Sequence, residues 1–84
     1  MKEVNEKVFL FIQALKAMGR IEFESDFCNA IDMKRQNLNN IKHNNKYFAT
    51  KHIYKICKVY DANANYFFGS EENMFRKLKN KAKA

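Results

Sequence analysis

The sequence predicts an all-α fold, a compact five-helix domain, and three observations carry that reading. Apolar residues recur at three- and four-residue intervals, the 84 residues include no proline, and no segment alternates apolar with polar residues as a half-buried strand would. A chain of this length has room for one small core. That core is expected within residues 1–75, with 76–84 a basic, mobile tail.

Val4, Val8, Phe11, Ile12, Leu15 and Met18 fall on one stripe of a first amphipathic helix, which Gly19 ends because glycine accepts the left-handed cap conformation. A short second helix is expected from about Phe23 to Ala30, with Phe27, Cys28 and Ile31 inward. Glu22, Glu24 and Asp26 lie near its positive end, and Ser25 is an alternative N-cap. Leu38 and Ile41 mark the buried side of a third helix from about Lys34 to Lys42, polar everywhere else. His43-Asn44-Asn45-Lys46 reads as a turn. Thr50 is the expected N-cap of a fourth helix that buries Ile53, Ile56, Cys57 and Tyr60 and lines its wet face with Lys51, Lys55 and Lys58. Asn63 is placed to cap a last short helix carrying Tyr66, Phe67 and Phe68 before Gly69.

Charge is distributed unevenly over these elements. Between Asp32 and Asp61 there is no acidic residue, while Lys34, Arg35, Lys42, Lys46, Lys51, Lys55, Lys58 and five asparagines fall in that stretch. With a net charge of +7, such a face favours a polyanion, and amides among cations suit base edges, so nucleic acid is the first partner to consider. Hydrophobic content of 46% with twelve aromatics excludes a disordered basic protein.

Other classes find less support. The longest apolar run, Val8 to Ile12, is far short of a membrane span, and the opening residues lack the order of a signal peptide, so a cytoplasmic, nucleoid-associated protein is expected. Cys28 and Cys57 are read as reduced core residues. Cys28, His43, His52 and Cys57 match no zinc spacing, and no phosphate-cradling glycine loop, paired carboxylates or nucleophile with a credible base can be assembled. Neither metal, cofactor nor catalytic residue is therefore expected.

The segment Phe27-Cys28-Asn29-Ala30-Ile31-Asp32-Met33-Lys34-Arg35-Gln36-Asn37-Leu38-Asn39-Asn40-Ile41-Lys42 resembles the helix-turn-helix of the lambda-repressor-like (XRE/Cro) family of bacterial and phage transcriptional regulators. The later run from Ile53 to Gly69 is similar to that family's last two helices, so the resemblance covers roughly residues 5 to 75. Two positions depart from the family pattern: Cys28 stands where alanine is usual, and Asp32 where glycine is usual. Both changes are sterically mild: the turn between the two helices needs a residue that tolerates positive φ, which Asp32 does, if less easily than glycine, although it brings a negative charge to the docking surface.

The resemblance implies a lambda-repressor-like DNA-binding domain whose recognition helix turns Lys34, Arg35, Gln36, Asn39 and Asn40 toward double-stranded DNA. Gln36 and Arg35 are the best base readers by chemistry, since arginine pairs bidentately with guanine and Gln or Asn with adenine. Asn37 and His43 are assigned to phosphate, and Lys42, Lys46 and Lys51 to sequence-blind attraction. The function implied is a sequence-specific, phage-like regulator, a repressor acting as a homodimer on half-sites about one helical turn apart. Phe9 and Leu10, or the aromatic end from Tyr66 to Phe75, are the expected dimer contacts, the second favoured. The alternative is an antitoxin-type interaction protein that binds a cognate toxin and autoregulates its promoter. A third is nonspecific RNA or membrane-surface binding.

Overall fold

A computed structural model describes residues 2–43 and 46–76 of the chain; Asn44, Asn45 and the tail expectation for 77–84 lie outside the described residues. Five helices form, in the order α1 (Lys2–Ala17), α2 (Glu24–Ala30), α3 (Arg35–Lys42), α4 (Thr50–Tyr60) and α5 (Ala64–Phe67). No strand appears among the described residues, and the one ladder-like contact is an isolated antiparallel bridge between Ala62 and Phe75.

The predicted stripe of α1 is buried from Val4 to Leu15, and the helix stops where expected: Gly19 has φ +76°, and the Arg20 and Gly19 N–H groups donate to Leu15 and Lys16 carbonyls at 2.9 and 3.0 Å. That pair of bonds is the Schellman closure. Met18 was expected on the stripe but stands past the last helical residue and is 50% exposed. Conversely Phe9, expected off the stripe, packs on Phe48 with ring centroids 5.7 Å apart.

Helix α2 begins after Phe23, so Ser25 is inside the helix and not its cap. Asp26 does the capping in reverse, accepting N–H bonds from Phe23 at 2.9 Å and Glu22 at 3.0 Å. These bonds to the ionised form, Phe23's first, hold the Asp26 carboxyl below its usual range. Phe27, Cys28, Ile31 and Met33 are all buried, and the α2–α3 turn is made by Asp32 at φ +57°, the strained position that the sequence assigned to it.

At α4 the N-cap is Ala49, one residue earlier than Thr50; alanine has no side chain to accept from the first turn, and the start is held from the other side by His52, whose Nδ1 accepts the Ala49 N–H at 3.3 Å. Ile53, Ile56 and Tyr60 are buried and Cys57 half-buried. Asn63 caps α5 as expected, its Oδ1 accepting from the Asn65 N–H at 3.1 Å. Of the aromatic run, Tyr66 and Phe67 go inward while Phe68 remains 55% exposed.

The chain then turns back. Asn63 N–H donates to the Met74 carbonyl at 2.8 Å, Arg76 N–H to the Asp61 carbonyl at 2.9 Å, and the Arg76 guanidinium to the Asp61 carboxylate at 2.6 Å. This return lays Phe75 on Phe11, 5.1 Å between centroids, and packs Met74 against the core. Met74 and Phe75, at the end of the favoured dimer contact, are thus half-buried against the protein's own core, and Arg76 belongs with the folded body instead of the tail.

Helix α1 packs on α5, α2 on both α3 and α4, and α4 on α5. Phe11 sits at the centre, edge-on to Phe67 and Tyr60, and Phe27 stacks on Tyr60 at 5.9 Å. α3 touches this body through one side, which leaves the rest of its circumference outward.

Candidate nucleic-acid interface

Helix α3 is held by two side chains, Leu38 at 0% and Ile41 at 2% exposure. With about 100° per residue, Gln36 points about 170° away from the bisector of that anchor, and Asn39 and Asn40 about 130° away on opposite sides. Arg35 follows at about 90°, and Asn37 and Lys42 at about 70° on the two flanks. The outward wedge is therefore made of three amides, Gln36 and Asn39 exposed and Asn40 half-buried. Lys34 and Arg35, at the start of the helix, and His43, at its end, are exposed as well.

The flanks differ in electrostatics. On the α2 side, Lys42 Nζ donates to both Glu24 carboxylate oxygens, at 2.8 and 3.0 Å. The bonded ammonium, with further pull from the charges of Lys42, Lys16 and Arg35, outweighs burial and keeps the Glu24 carboxyl below its usual range. Lys42, expected to offer free attraction, is thus committed to a carboxylate. On the other side Lys46 Nζ lies 3.4 Å from Asn37 Oδ1, a weak contact that leaves the ammonium exposed. Among the described residues no carboxylate pairs with Lys34, Arg35, Lys46 or Lys51.

One residue that sequence reasoning missed sets the Lys46 flank. Asn5 is 2% exposed; its amide donates to the Lys46 carbonyl at 3.1 Å and accepts from the Phe48 N–H at 3.2 Å. A buried side chain satisfied at both ends is costly to remove, so Lys46 and Phe48 are pinned to α1. A signal existed: Asn5 falls beside Ile12 on the α1 wheel, a polar residue inside an apolar stripe.

The charge expected to disturb this surface is neutralised. Asp32 accepts a bond from Lys55 Nζ, and that contact, with the Lys55 charge, keeps its carboxyl below the usual range. Asp32, Lys55, Lys51, His52 and Ile31 together line a cavity of about 240 Å³ between the α2–α3 turn and the first turn of α4. His52 there resists protonation, first because of burial and then because Lys51 and Lys46 are positive.

Among the described residues no three His, Cys, Asp or Glu side chains gather as a metal site would need, and none of the helices is long and apolar enough to cross a membrane. Burial pushes the Cys28 and Cys57 thiols up, away from the thiolate that nucleophilic chemistry requires. No family model, no curated protein and no solved structure matches this chain.

Proposed function

We propose that this protein is a sequence-specific DNA-binding transcriptional regulator of the lambda-repressor-like kind, a binding protein and not an enzyme, which represses by occupying its operator. In this reading α2, the Asp32 turn and α3 are a helix-turn-helix. α3 enters the major groove and α2 lies across the backbone. The observation that carries it is the composition of the α3 face: Gln36, Asn39 and Asn40 form the outward wedge, Arg35 flanks it, and Lys34 at its start and Lys46 on the Asn37 flank have no carboxylate partners among the described residues. Amides pair with adenine N6 and N7 and guanidinium with guanine O6 and N7, while the ammonium groups attract phosphate whatever the sequence.

Two copies related by a twofold axis would give a specific grip that one small module lacks. With Met74 and Phe75 half-buried against the core, Leu10 and Phe68 are exposed apolar side chains on the two surfaces expected to make that contact. Selecting bound sequences from a random duplex pool tests the reading. It should return a preferred, twofold-symmetric site whose affinity falls by about a thousandfold or more between 50 and 200 mM salt if six or more phosphates are touched. Equal affinity for every duplex would remove sequence-specific regulation.

A further inference from the structure

The cavity between the α2–α3 turn and α4 is built like a place for an anion, and one anion already occupies its rim. Lys51 and Lys55 lie one turn apart on α4, so both side chains rise from the same side of the helix, and His52 lines the cavity beside them. The volume of about 240 Å³ is roughly eight times the ~30 Å³ that a water takes in the liquid, ample for a tetrahedral oxyanion with part of its hydration shell. After burial, the charges of Lys51 and Lys46 oppose protonation of His52, so positive charge stands close to the lining. The lone negative group in the lining is Asp32, and it is bonded to Lys55.

We propose that this cavity is a phosphate-binding site, and that Asp32 is a built-in competitor that holds Lys55 until a phosphate displaces it. The Asp32–Lys55 pair has the properties of an exchangeable latch. Its side chains are 75% and 44% exposed, and an ion pair this open to water contributes little. A phosphate offers Lys55 a second oxyanion with more acceptor oxygens, and offers Lys51 a partner that Asp32, bonded to Lys55, does not provide. Asp32 is also the residue that makes the turn at φ +57°, so the latch sits on the segment that sets the angle between α2 and α3. The natural phosphate is either free or part of a duplex backbone; the second source alone rests on the proposed DNA-binding role.

Asparagine and glycine both accept the left-handed conformation, so Asp32→Asn removes the competing charge without disturbing the turn, and Asp32→Gly serves as a second variant with the same backbone demand. Titrating the full chain with inorganic phosphate at constant ionic strength, and following backbone amide shifts, should give a saturable response at Lys51, His52 and Lys55. Asp32→Asn should tighten it by about twofold to fivefold, the range that an exposed ion pair commands. In a Lys55→Ala background that gain should vanish, because the competitor has lost the group it competes for.

The same cycle run with duplex DNA identifies the source. A gain with duplex but not with inorganic phosphate supports a backbone phosphate as the natural occupant. A gain with inorganic phosphate and no duplex binding supports the cavity while the regulator reading fails. If Asp32→Asn produces no gain with either probe, or an equal gain whether or not Lys55 is present, Asp32 acts only as a distant charge and the latch is overturned.

Discussion

Helices α3 and α4 come from the same acid-free stretch of sequence and bury matching apolar stripes, yet they present different surfaces. α4 carries three lysines, of which Lys55 is bonded to Asp32 and Lys58 leans on Tyr54, 3.4 Å from its hydroxyl and 5.5 Å from its ring centre. α3 has its lysine at the end, tied to Glu24, and leaves a face of amides with Arg35 at its edge. An acid-free run is therefore not a uniformly positive face. Acids outside the run, or at its border, reach in and claim particular lysines, and what remains available is set by tertiary geometry.

The largest expected effect tests whether the two helices are anchored alike. Leu38 and Ile56 are both fully buried, so Leu38→Ala and Ile56→Ala should each destabilise the domain by roughly 2–5 kcal/mol in urea unfolding. A loss below about 0.5 kcal/mol for Leu38→Ala, the scale of a surface change, would mean that α3 is not seated as described.

The next effect separates the faces by function. Gln36→Ala and Lys58→Ala are both exposed changes and should each leave stability within about 0.5 kcal/mol. Against a selected duplex, Gln36→Ala should lose about 1–3 kcal/mol of discrimination at one base position of each half-site, while Lys58→Ala should leave the base preference as it was. Matching preference profiles for the two variants would dissolve the distinction between the helices.

Much of this contrast was legible in the sequence. The periodicity located all five helices, Gly19 and Asn63 punctuated them correctly, and the short polar residue Asp32 was rightly given the positive-φ turn. Each of these is a local property, fixed by a few neighbouring residues. What stayed hidden depends on chain segments far apart: Asn5 reaching 41 and 43 residues ahead, Lys42 reaching back 18 to Glu24, and Phe75 folding onto Phe11 through the 62–75 bridge. The exposed status of Arg35 and Gln36 was readable, since Leu38 and Ile41 fix the inward side. Which lysines are unpaired was not, because ion pairing across elements leaves no trace in spacing.

The smallest effect concerns the start of α4, where a titrating group stands in for a cap. His52 can accept the Ala49 N–H only while Nδ1 is unprotonated, and burial, then Lys51 and Lys46, lower its pKa below the ordinary 6.5. A group whose folded pKa is depressed favours the fold when neutral, so its contribution is present above pH 6.5. It declines as pH falls through that value toward the folded one, because the unfolded chain takes up the proton first. Glu24, Asp26 and Asp32 are depressed carboxylates whose contributions are lost only below their ordinary values of 4.5 and 3.8, so they stay out of this window. Urea midpoints at pH 7.5 and 5.5 should thus show the native protein weaker at the lower pH. His52→Gln keeps an acceptor at the third helical position and does not titrate, so it should flatten that difference while retaining the helix start. An undiminished pH dependence in His52→Gln would assign the titration to another group. α3, whose residue at the same third position is the non-titrating Asn37, has no equivalent sensitivity to lose.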